Sequence, residues 1–393
     1  QNMTPTSVSQ IAEQIMNAVV SIAAAVILVN RFAPAGEEAV YGAVGGTLGT
    51  GAGVLTGLAF MIFVYMLNRG ILRRQRARDR HRREETYGDV FRIIFFLMTP
   101  IIFTTFINNA STYLDSYLYS SIQGFHGIDG DLISAAYGEF SNYYVPIINI
   151  PLAMASASAS AMMPEVSGCY AMNRKKEASG QINQTIRLTM FICIPATVGL
   201  MVLAHPVMGV LFPSSTELAE RLLMTGAVYV IFSALATITS SVLQSIGQQK
   251  WALINAGISL ILNLAVLALL LLLFPGLDIY AVMIANILFS VVICLLNAVS
   301  IRKFLGHRNE WKKTYLQPLI ASAGMGLVAF AVYQGLFLLT RRPFIALLVS
   351  VVLAVLVYLI LYVIVTKTSE EEMRKFPMGG KLVKVLRMLK IYR

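Results

Sequence analysis

Residues Asn68–Glu85, NRGILRRQRARDRHRREE, are the stretch from which the rest of the chain is interpreted. They hold eight arginines and one histidine in eighteen residues, between the apolar runs Val54–Leu67 and Phe91–Phe106. A nucleic-acid-binding protein would place such a basic patch on a soluble folded face. A basic loop between two apolar segments of membrane length is instead typical of the cytoplasmic side of a membrane protein. We therefore predict a membrane protein with membrane lipids, and no nucleic acid, as partners.

Composition supports the same class. The 393 residues are 57% hydrophobic and 13% charged, with a mean hydropathy of +0.70, whereas soluble domains are about 25% charged. One soluble core cannot bury this much apolar surface. The three cysteines are far apart in sequence and have no metal-ligand or disulfide spacing. We predict that they are small buried apolar residues and that the chain has no metal site, no cofactor and no catalytic residue.

The fold class predicted is an all-α polytopic membrane protein with about ten transmembrane helices. A spanning helix needs about 20 mostly apolar residues. The candidates are Val8–Val29, Val44–Leu67, Phe91–Leu114, Ile133–Met154, Ile186–Leu211, Leu222–Leu243, Ala252–Phe274, Ile279–Val299, Leu316–Leu339 and Phe344–Val365.

Charge fixes the predicted orientation. With ten crossings, all but four of the 31 basic residues fall on the side of the arginine-rich loop, and the four exceptions are Arg31, Arg221, Arg341 and Arg342. Because loops rich in Lys and Arg stay in the cytoplasm, both ends of the chain are predicted to be cytoplasmic. The tail alternates apolar and basic faces and is predicted to be an amphipathic helix on the inner leaflet.

The first two spans carry different stripes. Polar residues recur at helical spacing in the first: Gln10, Glu13, Gln14, Asn17 and Ser21. This stripe is predicted to face protein or a wet cavity, although Gln10 and Glu13 also suit the headgroup layer. The second span has a glycine every fourth residue, at Gly45, Gly49, Gly53 and Gly57, which predicts close helix packing rather than a functional role.

The third span is predicted to line a wet cavity. Pro100 should kink it, and beyond Pro100 one helical face holds Thr104, Asn108, Ser111, Thr112, Asp115 and Tyr119. A solvated carboxylate at the helix end is the alternative for Asp115. In the fourth span Glu139, Asn142, Pro146 and Asn149 share a face, and Pro146 and Pro151 predict irregular backbone, as occurs where a broken helix lines a cavity.

Short motifs resemble one transporter family. Gln1–Thr6, QNMTPT, followed by Ser9-Gln10 and Glu13-Gln14, resembles the stretch that enters helix five in the multidrug/oligosaccharidyl-lipid/polysaccharide exporters. The branch is that of polysaccharide export, similar to stage V sporulation protein B. Shorter similarities are Tyr113–Ser116, Tyr137-Gly138 and Met163–Ser167.

The resemblance implies a fourteen-helix exporter of two six-helix lobes and two extra helices, of which this chain is the back part, without the first four helices. The implied domains are residues 1–67, the last two helices of the first lobe; 68–90, the basic cytoplasmic loop between lobes; 91–313, the second lobe; 314–367, the two extra helices; and 368–393, the amphipathic cytoplasmic tail.

The function implied is a membrane transporter that flips a lipid-linked (polyprenyl-pyrophosphate) oligosaccharide or wall precursor outward by alternating access. A cation-coupled multidrug exporter of the same superfamily is the main alternative. A membrane glycosyltransferase or ligase is less favoured, because the longest predicted outer loop, Ser120–Leu132, has few candidate catalytic groups. A scaffold without transport and the oligomeric state both stay open.

Candidate site residues follow from these stripes. The predicted substrate cavity comprises Asn17, Asn108, Thr112, Asp115, Glu139, Asn142 and Asn149. The asparagines suit sugar hydroxyls or neighbouring helices, and Asp115 and Glu139 suit a coupling H⁺ or Na⁺, unless the membrane potential drives transport. Arg92, Arg187 and Lys250, at predicted cytoplasmic helix ends, suit either the anionic headgroup or simple membrane anchoring.

Overall fold

A computed structural model of the chain describes residues 4–34, 36–78, 86–307, 310–366, 370, 379–380 and 383–384. Thirteen α-helices cover most of this described part: α1 Thr4–Phe32, α2 Glu38–Arg78, α3 Tyr87–Phe125, α4 Gly130–Glu139, α5 Val145–Ala171, α6 Lys175–Val202, α7 Ala204–Leu211, α8 Glu217–Gly226, α9 Tyr229–Ser245, α10 Gln249–Leu273, α11 Ile279–Leu305, α12 Gln317–Thr340 and α13 Pro343–Thr366. The predicted all-α class is confirmed. Residues 79–85 of the basic loop and nearly all of the predicted tail lie outside the described residues.

The predicted number of spans is also confirmed. Within the described ranges nine spans are long and apolar enough to cross a membrane, and α8 with α9, bent by 53°, makes a tenth. The protein is therefore a multi-pass membrane protein. The sixth predicted span, Leu222–Leu243, was wrong in one respect. It was expected to be one helix, but α8 ends at Gly226 and α9 begins at Tyr229. The predicted loop Ser120–Leu132 was also too long, since α3 continues to Phe125 and α4 begins at Gly130.

The described chain falls into two compact units, Gln1–Val90 and Phe91–Arg393. In the first unit α1 and α2 pack closely along the glycine face of α2. A Cβ atom on Gly49 would lie 1.9 Å from the Ser21 Oγ and 2.6 Å from its backbone nitrogen. The Ser21 hydroxyl donates to the Gly46 carbonyl at 3.1 Å, and Ser9 donates to the Gly57 carbonyl at 3.2 Å. The prediction that these glycines permit close packing is confirmed.

In the second unit α5 lies beside two other spans. It packs against α6 and α9, and α11 packs against α9 and α10. Ala155 and Ala159 of α5 are fully or almost fully buried, which allows the neighbouring helices to approach closely. Of the cysteines, Cys193 is buried as predicted, whereas Cys169 and Cys294 are half-buried; all three are free thiols.

Helices α12 and α13 pack against each other, and α12 also packs against α6. Pro195 lies inside α6 and has no N–H to donate to the Phe191 carbonyl four residues earlier. The hydroxyl of Tyr358 in α13 donates to this carbonyl at 2.9 Å. A side chain from the last described span therefore satisfies the backbone group that proline leaves free in α6.

We expect Tyr358→Phe to lower the free energy of unfolding by about 1 kcal/mol, because a buried backbone carbonyl loses its donor in a low-dielectric setting. The measurement is thermal unfolding in detergent. The matched control is Tyr333→Phe in α12, because the Tyr333 hydroxyl has no hydrogen-bond partner within the described part of the chain. Equal destabilisation by both variants would contradict this role for Tyr358.

Candidate functional site

A π-helical turn, Phe140–Tyr144, joins α4 to α5. Pro146 follows it in the first turn of α5 and cannot donate a hydrogen bond to the carbonyl of Asn142. Instead the Val145 N–H bonds to the Phe140 carbonyl, and the wider turn rotates the side chains that follow. Such turns are frequent at functional sites. Here the turn directs Tyr144 into the bundle, where its side chain is only 2% exposed.

The break between α8 and α9 lies against this turn. The Tyr144 hydroxyl donates to the Gly226 carbonyl at 2.8 Å, at the end of α8. Gly226 is needed there because a Cβ atom would lie 2.7 Å from the Tyr144 hydroxyl and 2.6 Å from the Met283 sulfur. The sequence signal for one helix was apolar composition alone, which does not register a glycine crowded by residues from two distant helices.

These two irregular segments border a cavity of about 290 Å³ in the second unit. Its walls come from α3, α4, the π-turn, α5, α9 and α11. Its lining residues are Asn109, Thr112, Tyr137, Phe140, Tyr144, Val145, Ile148, Asn149, Tyr229, Met283 and Asn286. The lining carries amides, hydroxyls and aromatic rings, and no formally charged side chain. Such a surface suits an uncharged group rich in hydroxyls, because amides both donate and accept while aromatic faces cover apolar ring surfaces.

Asp115 lies next to this cavity, buried at 1% exposure. Its Oδ1 accepts from the Asn263 amide of α10 at 2.6 Å, and its Oδ2 accepts from Ser111 at 3.5 Å. Asn286, which lines the cavity, also lies near this carboxyl group. The alternative that Asp115 is a solvated carboxylate is therefore wrong.

The amide oxygen of Asn263 differs from those of other buried asparagines. Asn263 is fully buried, and its Oδ1 has no hydrogen-bond partner among the described residues. By contrast Asn255 and Asn297 are joined at 2.9 Å, and Asn297 also donates to Ser240 at 2.9 Å. A buried polar atom without a partner is costly, so it needs an explanation. It belongs to the amide whose nitrogen bonds to the Asp115 carboxylate, and carboxylate and amide oxygens are ligands that small hard cations prefer.

The structure separates the predicted site residues into groups. Thr112 and Asn149 line the cavity, and Asp115 lies behind it. Asn108 and Asn142 are exposed and are not lining residues.

The remaining predicted residues lie elsewhere. Glu139 accepts from the Thr216 backbone at 3.3 Å. Asn17, in the first unit, accepts from Ser21 at 3.1 Å and contacts the glycine face of α2. Of the predicted cationic residues, Arg92 and Lys250 are exposed and Arg187 is half-buried in α6.

Sequence reasoning missed several lining residues. Asn109 lines the cavity where Asn108 was expected, and Tyr229, Met283 and Asn286 come from α9 and α11, for which no polar face was predicted. A signal existed for Asn286, which is one of two amides, with Asn297, inside the apolar stretch Ile279–Val299. An amide inside a membrane span needs a polar partner, and that requirement points to a buried polar contact or a site.

A polytopic helical bundle with broken spans around a polar cavity defines the class of membrane transporters. Residues 7–349 match the family model described as Lipid II flippase MurJ. The match covers most of the chain, which therefore belongs to this family.

Individual relatives of this chain support the same family membership. The chain is 24% identical over 271 residues to the Lipid II flippase MurJ of Bacillus subtilis (strain 168), covering 67% of this chain and 48% of the relative. It is 22% identical over 384 residues to Stage V sporulation protein B of the same organism, covering 98% of this chain and 71% of the relative. These matches confirm the resemblance to the polysaccharide-export branch. The chain spans about half the length of the Bacillus subtilis flippase that it matches.

One solved structure shares the fold. It is described as Lipid II flippase MurJ, inward closed conformation, and superposes with a TM-score of 0.59 at 16% identity. The superposition covers 91% of this chain and 67% of that chain.

Proposed function

We propose that this protein carries a lipid-linked saccharide, with a polyprenyl-pyrophosphate carrier, outward across the cytoplasmic membrane by alternating access. The observation that carries the proposal is the uncharged, amide- and tyrosine-lined cavity in the second unit. Family membership supports the same substrate class. A saccharide headgroup is too polar to cross hydrocarbon unaided, because each unsatisfied polar group there costs several kcal/mol.

Residues 91–313 of the second unit act in this proposal as one lobe of a two-lobe transporter, with α12 and α13 as two additional helices. Both ends of the chain lie in the cytoplasm, and α3 runs from the arginine-rich loop outward. Charge asymmetry between loops supports that orientation. A cavity of about 290 Å³ accommodates part of a headgroup rather than a whole oligosaccharide.

Two kinds of group share the recognition of the headgroup. The asparagines of the cavity bond sugar hydroxyls, and its tyrosine rings cover the apolar faces of a sugar ring. The anionic pyrophosphate is attracted by cationic helix ends on the cytoplasmic side, where Arg92 and Lys250 are exposed and Arg187 is half-buried. The lipid tail stays in the bilayer, so only the headgroup needs a polar path.

In this proposal Asp115 couples transport of the saccharide to binding of a cation. Its carboxylate and the unpartnered Asn263 Oδ1 suit H⁺ or Na⁺. Because Asn286 lies near Asp115 and also lines the cavity, a change in the charge at Asp115 reaches the saccharide site through one side chain in this proposal. Glu139 holds the backbone of Thr216 and has a structural role.

We expect Asn109→Ala to lower the rate of lipid-linked saccharide transport about fivefold, the effect of losing roughly 1 kcal/mol of hydrogen bonding. Asn108→Ala, one residue earlier on the same helix, is expected to have a smaller effect because Asn108 is not a lining residue. The measurement is translocation of a fluorescent polyprenyl-pyrophosphate sugar in vesicles that contain the full-length protein. A larger loss with Asn108→Ala would place the cavity on the other face of α3 and contradict the proposal.

A further inference from the structure

A second polar cluster, with two buried members and a half-buried carboxylate, lies near the C-terminal end of α3. The Tyr119 hydroxyl and the Gln123 amide nitrogen both donate to Oδ1 of Asp278, the glutamine at 2.9 Å. Asp278 lies in the short connection between α10 and α11, next to the 3₁₀ turn Pro275–Leu277. Two side chains of α3 therefore converge on one carboxylate from a distant part of the chain.

One oxygen in this cluster has no partner. The Gln123 side chain is fully buried, and its Oε1 has no hydrogen-bond partner in the described part of the chain. The amide orientation is fixed, because the Nε2 on the same group donates to Asp278. The unpartnered oxygen is thus a buried acceptor on the same amide that bonds to Asp278, and such an acceptor is costly unless a donor or a cation satisfies it.

The backbone at Asp278 indicates that this arrangement is maintained against strain. Asp278 has φ +46°, a conformation that costs a non-glycine residue about 1 kcal/mol or more and persists only where surrounding contacts impose it. The two donors from α3 provide such contacts. Strain of this kind is concentrated at ligand sites and switch regions.

We infer that Asp278, Gln123 and Tyr119 form a binding site for a small monovalent cation. All three provide oxygen atoms, which hard cations prefer. Tyr119 and Gln123 each donate a hydrogen bond to Asp278, so the lone pairs of the Tyr119 hydroxyl and of the Gln123 amide oxygen remain available to a cation. One carboxylate supplies one negative charge, which matches a monovalent ion, whereas divalent sites use more carboxylates. Within the described residues neither Asp278 nor Asp115 forms an ion pair with lysine or arginine.

The cluster also has a defined position relative to Asp115. Ser111, Asp115, Tyr119 and Gln123 recur every fourth residue and form the buried polar edge of α3. Eight residues of helix separate Asp115 from Gln123, a rise of about 12 Å. In the proposed orientation a cation from outside meets Asp278 first and Asp115 second. This position on the path to Asp115 rests on the proposed coupled transport, whereas cation binding itself is testable without transport.

The test is equilibrium binding of radiolabelled Na⁺ to the purified full-length protein in detergent, with choline chloride holding ionic strength constant. We expect Asp278→Asn to lower the saturating amount of bound Na⁺ by about half, since one of two independent sites is lost. Asparagine tolerates positive φ as well as aspartate does and still accepts from Tyr119, so the fold should survive. Gln123→Leu removes the unpartnered oxygen and is expected to weaken Na⁺ binding at least about tenfold at the same site, about 1.4 kcal/mol.

The matched control is Asp131→Asn, which removes an exposed carboxylate from the first turn of α4. It should leave Na⁺ binding unchanged. Wild-type binding in both Asp278→Asn and Gln123→Leu would overturn the inference, as would no Na⁺ binding by the wild type. Loss of half the sites in Asp115→Asn together with no loss in Asp278→Asn would leave the proposed coupling intact and reject this second site alone.

Discussion

Asp115→Asn is expected to lower the rate of saccharide-lipid transport by at least about tenfold, which corresponds to about 1.4 kcal/mol. The substitution removes a charge and little else. Asparagine has nearly the same shape, and its oxygen still accepts from Asn263, which bonds to the native carboxylate at 2.6 Å. Thermal stability should therefore change much less than the transport rate. The measurement is initial translocation rate in vesicles, normalised to correctly folded protein.

The control for this prediction is again Asp131→Asn, where an exposed carboxylate is lost. It should transport at the wild-type rate. Transport at the wild-type rate by well-folded Asp115→Asn would show that this carboxylate only joins α3 to α10. If Asp115→Asn lowered thermal stability and the transport rate to the same extent, the role of Asp115 would also be structural, because the amide would then have disturbed packing rather than coupling.

Gly49→Ala is expected to destabilise the α1–α2 hairpin by about 1–3 kcal/mol, the usual cost of overpacking. The new methyl group would lie within 2.6 Å of the Ser21 backbone nitrogen, and backbone atoms cannot move aside as the end of a flexible side chain can. The two helices must therefore separate, which also weakens the bond from Ser21 to the Gly46 carbonyl. Thermal unfolding of the full-length protein in detergent measures the effect.

Gly51→Ala is the matched control for Gly49→Ala. It lies on the same helix, and a Cβ atom there would have nothing within 4 Å. Because alanine is the better helix former by about 1 kcal/mol, Gly51→Ala should leave stability unchanged or raise it. Equal destabilisation at both positions would mean that the glycines serve the backbone of α2 and not its packing.

What could be predicted from sequence depended on how local the information was. The arginine-rich loop and the loop charges predicted the number of spans because insertion depends on short segments and their flanking residues. The glycine face of α2 was predicted from four-residue spacing, and its partner α1 is the preceding helix. In both cases the pattern and its physical cause lie within one or two neighbouring elements.

The candidate site was less predictable because its contacts are distant in sequence. Periodicity placed Asp115 on a polar face of α3, but Asn263 lies about 150 residues away and no local pattern connects the two. The choice between Asn108 and Asn109 depended on a rotation of one residue, which helical spacing does not fix. Likewise the break at Gly226 follows from crowding by Tyr144 and Met283, which belong to other helices.

The most direct test of the central claim is a translocation assay in vesicles reconstituted with the full-length protein. It would follow a fluorescent polyprenyl-pyrophosphate sugar and, in parallel, efflux of a cationic dye. We predict movement of the sugar lipid that Asn109→Ala slows and Asp115→Asn nearly abolishes, with no efflux of the dye. Efflux of the dye without movement of the sugar lipid, in correctly folded protein, would contradict the proposal and favour a cation-coupled drug exporter.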